Sequence, residues 1–104
     1  MADLPDFSQI EGFDWDRGNS QKNWDRHRVA FFECEEVFFH GPIVLPNPKH
    51  SAAEVRYYAF GGTTRRRLLT IIFTLRRNKI RVISARDMSR RERRFYAKEI
   101  QRSP

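Results

Sequence analysis

The hydrophobic pattern of this chain changes its period near residue 41, and that change limits the folds that the chain can adopt. Over residues 17–39 apolar side chains recur at helical spacing, so the sequence predicts one helix over about 17–27 and a second over 29–39. Over residues 43–85 the apolar side chains form short runs of strand length, and turn residues separate these runs. The pattern therefore predicts two helices followed by a sheet.

Three or four strands are predicted in the second part of the chain. An apolar run over 43–45 precedes a Pro-Asn-Pro loop, and further strands follow over 55–60, 67–75 and 79–85, the last two joined by a turn at 76–78. A short strand is predicted at 13–16, and Ser89 with Glu92 has the capping-box spacing of a final helix that reaches about residue 101. The predicted class is α+β: a short N-terminal strand, two helices, an antiparallel three- to four-stranded meander sheet and a C-terminal helix.

The length of 104 residues predicts a single domain, placed at 13–101 and preceded by a flexible leader at 1–12. The leader contains Pro5 and Gly12 and shows no sustained period. The chain has one cysteine, Cys34, which excludes an internal disulfide and is predicted to be a buried thiol in a reducing compartment. The sequence contains neither a signal peptide nor a run of ~18 apolar residues, so we expect a cytoplasmic protein without a membrane span.

Charge is distributed unevenly between the two halves of the chain. Residues 1–64 contain 6 Lys or Arg and 10 Asp or Glu, whereas residues 65–102 contain 14 and 3. Most of the basic residues in the second part are arginines, whose planar guanidinium matches a phosphate and stays charged at ordinary pH. The second half therefore predicts a nucleic acid, an acidic protein, or both as partners.

Short motifs over residues 13–96 resemble the BrnT family of bacterial toxins. The resemblance is carried by the order and spacing of Phe13-x-Trp15-Asp16, Asn23 with His27, Val29-x-Phe31, Glu36-Val37-Phe38, His50-Ser51-x-x-Glu54-x-Arg56, Gly61, Arg67-Leu68-Leu69-Thr70 with Phe73-Thr74, Ile80-Arg81-Val82-Ile83-Ser84-Ala85-Arg86, and Glu92-Arg93 with Tyr96. In one departure, Arg28 follows His27 where the family usually has a glycine, which would suit a left-handed turn.

The resemblance implies a RelE-like fold and an endoribonuclease toxin of a type II toxin–antitoxin pair that cleaves RNA and arrests translation. It also implies a DNA-binding antitoxin similar to BrnA, expected to form a two-fold symmetric hetero-oligomer with the toxin. The toxin would then meet DNA only through its antitoxin. The alternative hypothesis is a non-catalytic nucleic-acid-binding module, in which the arginines only hold phosphates.

Metal-independent RNA cleavage needs a base for the ribose 2′-hydroxyl, cations for the charged phosphorane, and an acid for the leaving oxygen. The predicted catalytic residues are Arg67, Arg81, Arg86, His50, Glu54 and Tyr96. The predicted RNA-binding residues are Arg65, Arg66, Arg90, Arg91, Arg94 and Lys98. No metal or cofactor is predicted, because no His, Cys or Asp set has the spacing of a metal site.

Strand geometry predicts how the arginines are placed. Arg81 is expected on the open side of the sheet, and Arg67 on the neighbouring strand is expected to clamp the same phosphate, since adjacent strands lie ~5 Å apart. Because side chains alternate along a strand, Arg81 and Arg86 are expected on opposite faces unless the strand ends first.

Other candidate residues have two possible roles each. His50 and Glu54 are acid–base candidates, although an ion pair between Glu54 and Arg56 would also explain that carboxylate. Tyr96 is a core residue or a proton donor. In the last helix, the basic side chains occupy one third of the circumference, and Phe95, Tyr96 and Ile100 are expected to face the sheet.

Overall fold

The structure, a computed structural model, describes residues 4–48 and 54–102. The helices and strands of the described residues are β1 (Gly12–Phe13), α1 (Arg17–His27), α2 (Phe31–Phe39), β2 (Ile43–Pro46), β3 (Arg56–Gly62), β4 (Leu68–Arg76), β5 (Lys79–Asp87) and α3 (Arg90–Arg102), with a short 3-10 helix (Phe7–Gln9) before β1. The predicted α+β class is therefore confirmed. Within the described ranges, no helix has both the length and the apolar character needed to cross a membrane.

The five strands form one sheet in the order β1-β5-β4-β3-β2. Strands β2 to β5 pair as an antiparallel meander, as the sequence predicts. Strand β1, however, pairs in parallel with β5, so the sheet is mixed and the prediction of a purely antiparallel sheet is wrong. A two-residue strand contains too little pattern to reveal its pairing direction, and the rest of the sheet lies between β1 and β5 in sequence.

Helices α1 and α2 pack on one face of the sheet, which we call the helical face. The fully buried core between them is formed by Val29, Cys34, Val37, Ala59, Leu69, Ile71, Phe73, Val82 and Ala85. Burial, reinforced by the charges of Glu33 and Glu35, raises the pKa of the Cys34 thiol to about 12. The prediction of a buried thiol is thus confirmed, and at neutral pH this thiol is unreactive.

Helix α1 also covers the outer edge of β5. The Asn19 amide donates to the carbonyl of Val82 at 3.0 Å, and the Asn23 side-chain oxygen accepts from the N–H of Ala85 at 3.0 Å. These two buried asparagines satisfy backbone groups that β1 is too short to reach. Asn23 rather than Trp24 therefore faces the sheet. The Trp24 side chain is 43% exposed, although an apolar side chain in a helix over 17–27 would be expected to point inward.

The segment before β1 is attached to the domain. The ring of Phe7 lies 6.3 Å from the rings of both Phe38 and Phe73, and Ile10 packs against the core. The N–H of Glu11 donates to the carbonyl of Asn78 at 2.7 Å. The predicted boundary at residue 13 is therefore too late, and the folded unit includes Phe7.

Three arginines adopt the left-handed backbone conformation that glycine usually takes. Arg28 has φ 53° after α1, Arg66 has φ 67° before β4, and Arg77 has φ 53° in the β4–β5 hairpin, where Asn78 follows with φ 64°. Two successive positive φ angles are typical of a type I′ hairpin turn. Arg28 thus occupies the left-handed turn that the usual family glycine would form, and α2 begins at Phe31 rather than at the predicted Val29.

Candidate functional site on the open face of the sheet

The sheet face opposite α1 and α2, which we call the open face, carries several arginine and hydroxyl side chains. Three rows of side chains cross the open face, and each row contains one residue from β3, one from β4 and one from β5. The rows are Arg56–Thr74–Arg81, Tyr58–Ile72–Ser84 and Phe60–Thr70–Arg86. The first and third rows are four residues apart along β4, or roughly 13 Å. The open face therefore has arginine at both ends and hydroxyl groups between them.

Arg81 and Arg86 lie on the same face because β5 contains a β-bulge. Ile72 pairs with Ser84 and Phe73 pairs with Val82, which leaves Ile83 as an extra residue in β5. The bulge shifts the alternation by one position, so that Val82 and Ala85 both enter the core. The prediction that Arg81 and Arg86 face opposite sides is therefore wrong, since it assumed an unbroken alternation.

Arg86 is held by Glu92 at the third row. Its two terminal nitrogens donate to the two carboxylate oxygens of Glu92 at 2.7 and 2.9 Å. The same carboxylate accepts from the hydroxyl of Thr70 at 3.0 Å and from the N–H of Ser89 at 2.8 Å. The described residues provide no hydrogen-bond acceptor for the Nε–H of Arg86, whose side chain is 38% exposed.

These contacts determine what Glu92 can do chemically. The hydrogen bonds from Arg86, followed by those from Ser89 and Thr70, lower the pKa of the Glu92 carboxyl from 4.5 to about 2. The hydrogen bond with Glu92 in turn raises the pKa of Arg86. At neutral pH Glu92 is therefore an anion that orients Arg86, and it is neither a proton donor nor an effective base.

Arg81 marks the opposite end of the open face. Its guanidinium contacts Asp16 at 2.7 Å and Asp14 at 3.5 Å, both in the segment that leads from β1 into α1. The hydrogen bonds that Asp16 accepts from the Asn19 N–H and from Arg81 lower the pKa of its carboxyl. A hollow of about 410 Å³ beside Arg81 is also lined by Lys22 and Ile83.

The guanidinium groups of Arg67 and Arg81 do not share a site. Its five N–H donors are all used, by the carboxylates of Asp87 and Glu33 and by the carbonyls of His27 and Arg28. The hydrogen bond with Asp87 raises the pKa of Arg67 and lowers that of Asp87. The predicted clamp of Arg67 and Arg81 on one phosphate is therefore wrong, because Arg67 ties the α1–α2 junction to the far end of β5.

Of the two predicted acid–base candidates, Glu54 is not brought to Arg86. Glu54 forms ion pairs with Arg76 at 3.3 Å and with Arg56 at 3.9 Å, at the hairpin end of the sheet. The simpler explanation of Glu54, an ion pair with Arg56, is thus seen in the structure. His50 lies outside the described residues.

Helix α3 lies over the third row and presents its basic side to solvent. Phe95 packs against Phe60 with ring centroids 5.4 Å apart, and Tyr96 lies half-buried one turn after Glu92. The exposed residues of α3 include the four predicted RNA-binding residues Arg90, Arg91, Arg94 and Lys98. Ile100 is 50% exposed, so its predicted packing on the sheet is wrong, because Glu92 and Glu99 occupy the sheet-facing arc instead.

The remaining predicted RNA-binding residues, Arg65 and Arg66, are exposed in the β3–β4 loop. Sequence reasoning missed Thr70, Ser84 and the role of Glu92, and it left Tyr58, which lies in the middle row of the open face, without a role. Alternation along β3 and β4 identifies Tyr58 and Thr70 once the core face is known. Within residues 4–48 and 54–102, no three His, Cys, Asp or Glu side chains are grouped as a metal site.

Comparisons with known proteins agree with this architecture. A sequence model of the ribonuclease toxin BrnT of type II toxin–antitoxin systems matches residues 15–92. The crystal structure of the Brucella abortus ribonuclease toxin BrnT is similar over 76% of this chain and 97% of that chain, with 27% sequence identity and a TM-score of 0.59. No curated protein matches in sequence. Since the family model spans most of the sequence, the chain belongs to the BrnT family of ribonuclease toxins of type II toxin–antitoxin systems.

Proposed function

We propose that this protein is a metal-independent endoribonuclease that binds and cleaves RNA on the open face of its sheet. The observation that carries the proposal is the bulge at Ile83, which places Arg81 and Arg86 on the same face of the sheet with Tyr58 and Ser84 between them. Two cationic ends about 13 Å apart suit two separate phosphates of one strand better than a single phosphate. The basic side of α3, next to Arg86, extends the surface for the RNA backbone.

In the proposed reaction, the 2′-hydroxyl oxygen attacks the adjacent phosphorus and loses its proton to a base. The bond from phosphorus to the 5′-oxygen breaks, and that oxygen takes a proton, which leaves a 2′,3′-cyclic phosphate and a 5′-hydroxyl. Arg86 stabilises the charge that develops on the phosphate through its Nε–H, while Glu92 keeps the guanidinium in place. Tyr96, one helical turn from Glu92, is the proposed proton donor, and His50 remains the predicted base.

The direct test is to incubate the purified, partner-free protein with a defined RNA in EDTA and to map the new ends. We expect 2′,3′-cyclic phosphates, and we expect Arg86→Ala and Arg81→Ala to reduce cleavage at least 100-fold with the fold retained. The matched control is Arg26→Ala, which removes one exposed charge from α1. RNA binding without cleavage by the parent protein would instead support the non-catalytic binding module.

Membership of the family supports a proposal for the biological role. We propose that expression of this chain alone arrests growth by cutting RNA needed for translation, and that a DNA-binding antitoxin neutralises it in a two-fold symmetric complex. Co-expression of the chain with the product of a neighbouring small reading frame tests this role. Growth should stop with the chain alone, resume with both, and continue throughout when Arg86→Ala replaces the parent; arrest by that variant would contradict the proposed site.

A further inference from the structure

A groove lined by Glu33, one of the ion-pair partners of Arg67, has the chemistry of a nucleobase subsite. It runs between α1, α2 and the β3–β4 loop, has a volume of about 450 Å³, and is lined by residues that include Trp24, Phe32, Glu36, Thr64 and Arg65. None of these residues belongs to the open face. The groove is therefore a second feature, separate from the rows that carry Arg81 and Arg86.

Two large aromatic side chains are exposed in this groove. Trp24 is 43% exposed and Phe32 is 53% exposed. The guanidinium of Arg28 covers one side of Trp24, with its carbon 5.4 Å from the ring centroid. Exposed aromatic rings beside arginines are the surface on which unpaired bases stack, whatever their identity.

The charges at the groove can accommodate an anionic ligand. Arg65 lines the groove, Arg28 lies over Trp24, and Arg66 follows Arg65 in the exposed β3–β4 loop. Of the two acids that line the groove, Glu33 is already paired with Arg67 at 3.1 Å. Oε1 of Glu36 accepts from the N–H of Thr64 at 3.1 Å, which leaves its second oxygen as an acceptor for a base N–H.

Backbone conformation supports a role for two of these arginines. Arg28 and Arg66 both have a positive φ, a conformation that glycine adopts without strain. Strain of this kind is typical of sites under functional constraint.

We propose that this groove binds an unpaired base of single-stranded RNA, stacked on Trp24 and Phe32, with its flanking phosphates on Arg65 and Arg66. The inference rests on the proposed ribonuclease function, which makes RNA the ligand, and it adds a specificity subsite. The groove and the open face are linked through Arg67, which bonds both Glu33 of the groove and Asp87, the residue after Arg86. In the proposed arrangement a single strand would cross the end of β5 to occupy both.

The test uses a 2′-O-methyl oligonucleotide, which cannot be cleaved because it lacks the nucleophile. We expect Trp24→Ala to weaken its binding about tenfold and Trp24→Phe to restore most of the affinity, because the ring is retained. In cleavage assays Trp24→Ala should raise KM with little change in kcat. A matched control is Phe39→Ala, which removes an aromatic ring that is 72% exposed and does not line the groove.

Unchanged oligonucleotide affinity in Trp24→Ala would overturn the subsite. A variant that cleaves and binds RNA normally but escapes its antitoxin would also overturn it, since the groove would then be a protein-docking surface. The two proposals fail separately. Trp24-dependent binding without any cleavage by the parent contradicts the ribonuclease function alone, whereas normal cleavage that does not depend on Trp24 contradicts the subsite alone.

Discussion

The ion pair of Arg86 with Glu92 joins α3 to the sheet, and its contribution to stability is measurable. The substitution Glu92→Gln removes the negative charge while it keeps the size of the side chain. The pKa of Glu92 falls from 4.5 to about 2, chiefly through the hydrogen bonds from Arg86. At ~1.4 kcal/mol per pKa unit this difference sets an upper limit of about 3 kcal/mol on the stabilisation. The Arg86 side chain is 38% exposed, so screening by water lowers the expected loss to about 2 kcal/mol.

The pH dependence of this loss in unfolding free energy provides a sharper test than its magnitude at one pH. Because folding lowers the pKa of Glu92, its stabilisation is present above the unfolded-state pKa and is lost as pH falls from about 4.5 to about 2. Urea unfolding of the parent and of Glu92→Gln should therefore differ by about 2 kcal/mol at pH 7 and converge near pH 2. A difference that stays constant over this range would refute the assignment of the low pKa to this ion pair.

A control on the same helix separates the ion pair from a general effect of charge. Glu99 pairs with Arg102, whose side chain is 78% exposed. An ion pair that solvent screens to this extent is weak, so Glu99→Gln should cost less than Glu92→Gln. A double-mutant cycle of Glu92→Gln with Arg86→Gln isolates the coupling between the two residues. Additive effects of the two substitutions would show that the bidentate contact contributes nothing in solution.

Three further predictions follow from the structure. Arg77→Gly should raise the unfolding free energy by about 0.5 kcal/mol, because glycine relieves the positive φ in the hairpin; a loss of stability in thermal unfolding would contradict the type I′ turn. Arg67→Gln should cost about 3 kcal/mol in urea unfolding, since Glu33 and Asp87 lose their shared partner, and a neutral result would show that Arg67 is no structural hub. Replacement of Arg90, Arg94 and Lys98 by Gln should make the slope of log binding constant for RNA against log salt concentration shallower by about 2. An unchanged slope would place the RNA away from α3.

The parts of the fold that depend on local pattern were predictable from the sequence. Ser89 and Glu92 form the predicted capping box, with the Ser89 N–H donating to Glu92 at 2.8 Å and the Glu92 N–H donating to Ser89 at 3.2 Å. The meander and its hairpin turn were predictable as well, because their strands alternate with clear turn residues. Pairing of β1 with β5 was not, since it depends on contacts between residues that are distant in sequence.

The candidate site was less predictable, because a single inserted residue changes which side chains share a face. No residue type marks Ile83 as a bulge, so alternation alone separated Arg81 from Arg86. Charge by itself also predicted the wrong role for Arg67, whose donors are all used within the fold and not by a phosphate. Where an arginine run is found, the partners of each guanidinium decide whether it can bind a ligand.

The central claim is that RNA lies on the open face of the sheet, and thiol protection tests it directly. The native Cys34 is fully buried and its pKa is raised to about 12, so it stays silent towards thiol reagents. Ser84→Cys introduces a thiol midway between Arg81 and Arg86, and Ser8→Cys introduces one in the exposed 3-10 helix before β1. A 2′-O-methyl oligonucleotide should slow modification of the first thiol at least tenfold and leave the second unchanged. Equal modification of the Ser84→Cys protein with and without saturating oligonucleotide would contradict the account.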